Sequence, residues 1–177
     1  MLQTERKLKT LRDEFDGAFA APRKLPGAAS VSVLMIRIAS APFAVRSADI
    51  AGVLMRGKVV RAPGTAPGLL GLAGIRGRLV AVYRLESVLG QGTGSDGDRW
   101  LLLCGPDPSV ALSIERFERC QKASPDCLHA VAGGEACRKH MREVFDDGVV
   151  VRPVVDIHSV LEAIRNAAGI AEQERSL

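Results

Sequence analysis

The chain has 177 residues, of which 47% are hydrophobic and 4% aromatic, and its formal net charge is +4. This length suits one domain or two small, closely packed ones, and the hydrophobic content excludes global disorder. A nucleic-acid partner is not expected, because such partners require a concentrated basic face or aromatic platforms for base stacking.

The N-terminus, the hydrophobic runs and the cysteines predict a cytoplasmic protein. Met1 leads into a charged segment that lacks the apolar core of a signal peptide. The apolar run that begins at Ser30 is broken by Arg37, so it is too short to span a membrane, and we expect no direct membrane insertion. Four cysteines without secretion features indicate reduced thiols.

Residues 1–22 are predicted to form an amphipathic helix. Its apolar residues recur at three- and four-residue steps and therefore share one face. They are Leu8, Leu11, Phe15 and Phe19. A linker containing proline and glycine follows at 23–29. The apolar face either packs on the protein's own core or provides an extra surface for a partner or for self-association.

A domain is predicted over residues 30–166. Its first strand should end at a turn at Ala41–Pro42, and a second strand should begin at Phe43. A short interruption at 47–49 precedes further apolar positions. Two prolines and two glycines at 61–68 predict an ordered loop or an extended connector.

The stretch Gly68–Gly90 predicts a glycine-rich turn, a hydrophobic strand and a short helix, and a hairpin-like loop follows at 90–98. The second half of the domain restarts this pattern. Its predicted elements are strands at 99–105 and 109–120, an irregular polar region at 121–145, a strand at 148–157, a helix from His158, and a helix end and tail at 167–177.

The two halves contain an internal repeat. Residues 82–89 match 154–161 position by position, and 43–45 are echoed more weakly by 110–112. Each half is therefore predicted to contain short strands, turns and a short helix. Two small barrels packed together would close the strand edges that such short strands otherwise leave exposed.

Common catalytic motifs are absent from the sequence. It contains no G-x-S-x-G, no H-E-x-x-H, no Walker-type G-K-[ST] and no G-x-G-x-x-G that opens a helix. We therefore expect no enzymatic activity and no cofactor. His158 is interpreted as a partly exposed helix residue, because the sequence identifies no carboxylate partner for it.

One group of metal-ligand residue types leaves an alternative function open. Its members are Cys120, Cys127, Cys137 and His140. Their spacing lacks the C-x-x-C pair of common zinc sites, which favours free thiols in a loop over a metal site. The alternative is a small cytosolic regulator that responds to metal or redox state through this loop.

Arg76 is the side chain most suggestive of a binding surface. It lies between Gly74-Ile75 and Gly77, where the glycines let the backbone approach another surface closely. Two interpretations are open: a solvated turn arginine, or an arginine anchor in a protein interface, where arginine is enriched.

At these residues the sequence resembles the CheW-like domain of bacterial chemosensory coupling proteins. The resemblance covers roughly residues 30–165 in the family's order. The matching segments are Pro67-Gly68, Gly71–Gly77, Leu79–Val82, Arg84-Leu85, Leu89-Gly90 and Val154–Ile157. Three positions depart from the family pattern: Gly74 replaces an asparagine, Ala81 a proline and Arg84 an aspartate.

The resemblance implies a mainly β fold of two intertwined five-stranded SH3-like β-barrels with a hydrophobic interior between them, flanked here by an N-terminal and a C-terminal helix. It implies a non-catalytic adaptor that binds the regulatory domain of a CheA-type histidine kinase and the cytoplasmic tip of chemoreceptors, in membrane-associated arrays. The predicted protein-binding residues are Arg76, Gly77, Ile75, Gly74, Leu72, Gly71, Val45, Ile50 and Val53.

Overall fold

The computed structural model describes residues 30–62, 66–91, 97–105, 109–131 and 139–175. Three features of the sequence analysis lie outside these residues: the predicted helix at 1–22, the linker at 23–29 and Cys137. Strands account for most of the described elements, and the mainly β class predicted from the sequence is confirmed.

The strands are β1 (Val31–Ile38), β2 (Ala41–Arg46), β3 (Ile50–Met55), β4 (Leu69–Ile75), β5 (Arg78–Arg84), β6 (Trp100–Cys104), β7 (Val110–Ile114), β8 (Arg116–Ala123), β9 (Leu128–Ala130), β10 (Met141–Asp146) and β11 (Val151–Val155). The α-helices are α1 (Leu85–Val88) and α2 (Ile157–Arg175). Single 3-10 turns occupy Ser47–Asp49 and Pro125–Cys127. The first of these turns is the interruption expected at 47–49.

Within the described residues the strands form two sheets, and each sheet curls into a small barrel. The first barrel has the strand order β8-β1-β2-β11-β10-β9, in which β9 has only three residues, and the second has the order β3-β6-β7-β5-β4. The chain leaves the first barrel after β2, builds the second with β3 to β7, and returns with β8. Both barrels therefore contain strands from both halves, which confirms the predicted intertwining.

The internal repeat corresponds to two equivalent parallel strand pairs. In the first barrel β11 pairs with β2, and Val154 lies opposite Ala44. In the second barrel β5 pairs with β7, and Val82 lies opposite Ala111. The residues matched by the sequence repeat thus occupy the same register in the two barrels. Each of these pairs also leads into a helix, because α1 follows β5 and α2 follows β11.

Three apolar clusters stabilise this arrangement. Each barrel has its own interior, built around Met35 and Phe145 in the first and around Leu101 and Leu103 in the second. The largest cluster lies where the two barrels and α2 meet, and it includes Leu102. Strand β6 is buried on both faces, because alternate side chains enter different clusters, and this explains its uninterrupted apolar sequence.

Gly71 allows the second barrel to close. Beyond β3 the chain returns to β4, where Val60 and Leu72 exchange two backbone hydrogen bonds, each of 2.8 Å. Gly71 has a φ of +142°, and a Cβ atom at this position would overlap the carbonyl oxygen of Val60. Only glycine combines this backbone angle with so close an approach of two strands.

Arg84, at the end of β5, points inward and forms an ion pair at the end of the second barrel. Its Nε lies 3.6 Å from Oδ2 of Asp98, and the two side chains are 13% and 4% exposed. The Ser113 hydroxyl donates a hydrogen bond of 2.5 Å to the same carboxylate oxygen. Burial raises the pKa of Asp98, and Ser113 and Arg84 oppose that rise.

Two details of the predicted strands are wrong. The first turn lies at Ala39–Ser40, where both residues have positive φ, and the expected turn residues Ala41 and Pro42 already belong to β2. The strand predicted at 109–120 is divided at Glu115, because β7 and β8 belong to different barrels. Apolar periodicity reports burial and does not report to which sheet a strand belongs.

The region 121–145 was expected to be irregular, but it contains the end of β8, all of β9 and most of β10. Its described residues, 121–131 and 139–145, are mostly exposed or half-buried, with Phe145 among the buried exceptions. Backbone pairing with neighbouring strands holds these polar segments in the sheet. The weak alternation of apolar residues explains why the sequence pattern did not reveal them.

Candidate protein-binding site

Arg76 occupies the tip of a two-residue β-hairpin. Strands β4 and β5 pair up to Ile75 and Arg78, and Arg76 and Gly77 form the connection with φ values of 51° and 77°. Two positive φ angles are typical of the tight hairpin turn whose twist matches the flanking strands. For arginine this conformation costs about 1–2 kcal/mol. Backbone strain of this kind is concentrated at functional sites, and the Arg76 side chain is exposed.

Six of the predicted protein-binding residues lie together on β4 and its turn. Leu72, Gly74 and Arg76 face outward, as expected for alternate positions of a strand. Gly71 is buried at the barrel closure, and Ile75 packs against the interior of the second barrel. Gly77, which completes the turn, is exposed. The exposed members present one continuous edge of the second barrel.

The other three predicted residues lie elsewhere. Val45 is completely buried in the cluster between the barrels, so its side chain cannot contact a partner. Ile50 and Val53 on β3 are half-buried and pack against the same cluster. Their apolar character is explained by the contact between the barrels, and we do not include them in the site.

The structure adds a groove beside β4 that the sequence analysis missed. The groove is lined by residues of β4 and of the segment 54–62, and it consists of two depressions of about 330 and 550 Å³. Lys58 and Gly74 line both depressions, which therefore meet at these residues. The large apolar residues Met55, Val60 and Leu79 are 73%, 59% and 75% exposed here. We call this surface the β4 groove.

The sequence does contain a signal for this groove. No acidic residue occurs between Ile50 and Leu85, a stretch with six basic ones. Such a bias indicates an electropositive surface only if the basic side chains point outward. The β4–β5 hairpin and the pairing of Val60 with Leu72 determine which side chains of this stretch are exposed, and Lys58, Arg61 and Arg76 are among the exposed ones.

A second, strongly ionic cavity of about 240 Å³ lies beside the start of α2. Arg46 donates two hydrogen bonds, of 2.9 and 2.7 Å, to the carboxylate of Glu143. His158 is 78% exposed, as expected, but its Nε2 lies 3.4 Å from Oδ1 of Asp49. The sequence analysis did not identify this carboxylate, because Asp49 is remote in the chain. Each arginine of the cavity lies beside a carboxylate, Arg46 beside Glu143 and Arg142 beside Asp156, so the cavity does not present a free cationic ligand site.

The cysteine and histidine group does not form a metal site within the described residues. Cys120 is exposed on β8, and Cys127 lies in a 3-10 turn. His140 is buried, and its Nδ1 lies 2.8 Å from the hydroxyl of Ser159 on α2. Among the residues that the structure describes, no group of three or more His, Cys, Asp or Glu side chains could hold a metal ion.

His140 is expected to make the stability of the fold sensitive to acid. Burial lowers its pKa below 6.5, Lys139 lowers it further and Asp156 opposes this. A histidine with a depressed folded-state pKa contributes stability above its unfolded pKa and loses it as the pH falls. We therefore expect the free energy of unfolding to decrease as the pH is lowered below about 6.5, as measured by urea denaturation.

The control for this prediction is His140→Asn. Asparagine tolerates the positive φ of 71° at this position and can hydrogen-bond to Ser159 without titrating. The difference in unfolding free energy between wild type and variant should shrink with acidification. A constant difference would show that His140 does not contribute to the acid sensitivity.

Comparison with known proteins identifies the family. A family model described as the CheW-like domain matches residues 32–165. The chain belongs to the CheW-like family. A solved structure, the scaffolding protein TtCheW from Thermoanaerobacter tengcongensis, superposes with a TM-score of 0.66 at 12% identity, covering 76% of this chain and 94% of that one. No curated protein matches the chain.

The departures from the CheW-like pattern have different structural consequences. Gly74 lies on the exposed side of β4, so the absence of the family's asparagine leaves open space in the groove. Arg84, which replaces an aspartate, is turned inward to Asp98 and adds no charge to the groove. The equivalent residue of the second half, Asp156, accepts a hydrogen bond of 3.0 Å from the Ser159 amide and caps α2.

Within the described ranges, no helix has the length and apolar character needed to cross a membrane. The longest of the described helices, α2, has 19 residues. Over residues 157–168, buried positions recur every three or four residues among half-buried and exposed ones. This pattern is that of a helix packed with one face on the barrels.

Proposed function

We propose that this protein is a non-catalytic scaffold of a bacterial chemosensory pathway, coupling chemoreceptors to a CheA-type histidine kinase. Membership of the CheW-like family and the two-barrel fold support this proposal. The observation that carries it is the strained, exposed Arg76 turn beside an open groove. Such a surface suits protein contact, because arginine and exposed aliphatic side chains are typical anchors of interfaces.

The proposed contact residues are those of the hairpin and its strand. They are Gly71, Leu72, Gly74, Ile75, Arg76 and Gly77. Gly71 and Gly77 allow the backbone conformation of the strand and the turn. The side chains of Leu72 and Arg76 are the groups that contact the partner. Both the kinase's regulatory domain, which is itself CheW-like, and the receptor's cytoplasmic tip are proposed partners, and their binding would place this cytoplasmic protein in receptor arrays.

The domain organisation belongs to the same proposal. We place the CheW-like unit at 30–166, and the family match at 32–165 supports this placement. The residues before it, 1–22 and the linker 23–29, would provide an additional partner contact or self-association. The metal- or redox-responsive alternative is not favoured, because the described cysteines do not converge with His140.

Arg76→Asn should weaken partner binding while preserving the fold. Asparagine accepts the positive φ of this turn, so the hairpin should remain intact. Removing an interface anchor typically costs about 1.4–2 kcal/mol, which is a loss of affinity of about tenfold or more. The measurement is calorimetric titration of the full chain with the kinase regulatory domain and with a receptor cytoplasmic fragment from the same organism.

Lys122→Asn is the matched control, because Lys122 is exposed on β8 of the other barrel. It should leave both affinities unchanged. If wild-type protein binds and Arg76→Asn binds equally well, Arg76 is not an anchor. If wild-type protein binds neither partner, the scaffold proposal itself is wrong.

A further inference from the structure

The β4 groove combines exposed apolar side chains with exposed basic side chains. Met55, Val60 and Leu79 are each more than half exposed around it. Exposed apolar groups gathered at a concave surface mark interaction sites, because a monomer rarely leaves such groups together in solvent. The groove therefore has the composition of a docking surface.

Among the residues that the structure describes, those that line the groove or its rim include exposed basic side chains from the segment 54–62 and from the hairpin. They are Lys58, Arg61 and Arg76. Among the described residues of the second barrel, the Asp98 side chain is 4% exposed and is directed at Arg84, so it does not offset these exposed charges. The potential outside the groove is consequently positive.

We infer that the β4 groove binds a protein segment in which aliphatic side chains are flanked by carboxylates. The inference rests on the proposed scaffold function and specifies the chemistry of the partner at this site. Aliphatic side chains would enter the two depressions that meet at Gly74, and carboxylates would face Lys58 and Arg61. The apolar contacts provide the affinity, and the complementary charges accelerate association and select the partner.

Charge and shape argue against other occupants. The chain's own residues 1–29 contain six basic and four acidic residues, and a second copy carries a net charge of +4, so both would be repelled. An anionic membrane would match the charge but not the shape. The apolar groups line depressions of 330 and 550 Å³, and a groove of this kind accepts individual side chains.

Gly74 is the residue that keeps the groove open. A Cβ atom built at this position meets no other atom within 4 Å, and its φ lies outside the left-handed region. A larger side chain can therefore be introduced without disturbing the barrel. Gly74→Leu should fill the junction between the two depressions, which gives a test of steric access that is independent of charge.

The test uses NMR spectra of the full chain with two synthetic peptides of equal length. One has leucines flanked by glutamates, and the other has lysine in place of each glutamate. The acidic peptide should shift the amide signals of Gly74 and Lys58 and bind at least about tenfold more tightly than the basic one. Gly74→Leu and the double variant Lys58→Glu/Arg61→Glu should each abolish the difference, whereas Lys122→Glu should not.

Five outcomes would overturn the inference. The peptides could bind equally, or neither could shift the groove signals. Vesicles containing anionic lipid could shift those signals when the acidic peptide does not, which would indicate a membrane surface. The signals could also shift with protein concentration alone, or on introducing Phe15→Glu and Phe19→Glu, which would indicate self-occupancy.

The same variants separate this inference from the scaffold proposal. If the kinase or receptor fragment binds wild type and Lys58→Glu/Arg61→Glu with equal affinity, the acidic-segment inference fails and the scaffold role stands. If the acidic peptide binds in the groove but neither fragment binds, the groove chemistry is correct and the proposed pathway is wrong. A steep decrease of affinity with added salt should accompany the charged interaction.

Discussion

Replacing Gly71 with alanine is expected to lower the free energy of unfolding by about 3–5 kcal/mol. The φ of +142° is strained for any residue with a Cβ atom, which costs about 1–3 kcal/mol. The new Cβ atom would also displace Val60, whose two hydrogen bonds with Leu72 contribute about 1 kcal/mol each. Urea denaturation of the variant, monitored by circular dichroism, measures this loss.

Gly57→Ala is the control for Gly71→Ala. A Cβ atom at Gly57 meets nothing within 4 Å, and its backbone angle is compatible with other residues. This control should be as stable as wild type or more stable by up to about 1 kcal/mol, because alanine restricts the unfolded chain. If Gly71→Ala matched the control, closure of the second barrel through Val60 would not be important for stability.

Replacing Arg84 with methionine is expected to destabilise the protein by about 3 kcal/mol at neutral pH. The variant leaves Asp98 buried without its cation, and removing one partner of a buried ion pair typically costs about 3–5 kcal/mol. The Ser113 hydroxyl still donates its hydrogen bond to Asp98, so we expect the lower end of that range. Thermal or urea unfolding provides the measurement.

The pH dependence of Arg84→Met distinguishes this explanation from a simple loss of packing. The pKa of Asp98 is already raised from 3.8 by burial, and loss of the cation should raise it further. A carboxyl with a raised folded-state pKa loses stability as the pH rises, because the folded state must release its proton. The loss should therefore be smaller near about pH 5 than near about pH 7.5.

Adding Asp98→Asn should restore most of the stability lost in Arg84→Met. The double variant removes both charges and keeps a polar group beside Ser113, so the two substitutions should be strongly non-additive. A pH-independent loss, or additive effects in the double variant, would show that the ion pair is not what Arg84 provides.

The repeat allowed the architecture to be predicted in unusual detail. Matching 82–89 with 154–161 placed Val82 and Val154 at equivalent positions, and both lie in parallel pairs with the matched residues Ala111 and Ala44. This worked because a repeated apolar pattern reflects a repeated burial environment. The turn at Arg76 was also predictable, since glycine spacing reports backbone conformation directly.

The candidate site was only partly predictable, because exposure depends on partners remote in sequence. Val45 and Leu72 are both aliphatic strand residues, yet one is buried between the barrels and the other is 37% exposed. Arg76 lies in the predicted turn, and Arg84 lies at the end of the strand that follows it. The Arg76 side chain is exposed to solvent, whereas the Arg84 side chain points to Asp98. Alternation along a strand determines which side chains share a face. Which of the two faces is buried depends on the neighbouring sheet.

The sequence by itself determined the β class, the twofold repeat and the glycine-flanked turn. These features depend on local backbone preferences and on the periodic spacing of apolar residues, and both involve residues that are close together in the chain. Tertiary structure decided which strands pair within each barrel, the division of β7 from β8 and the β4 groove. Those features depend on contacts such as Val60 with Leu72 and Arg84 with Asp98. Residues far apart in the chain create them, and no local pattern records such a pairing.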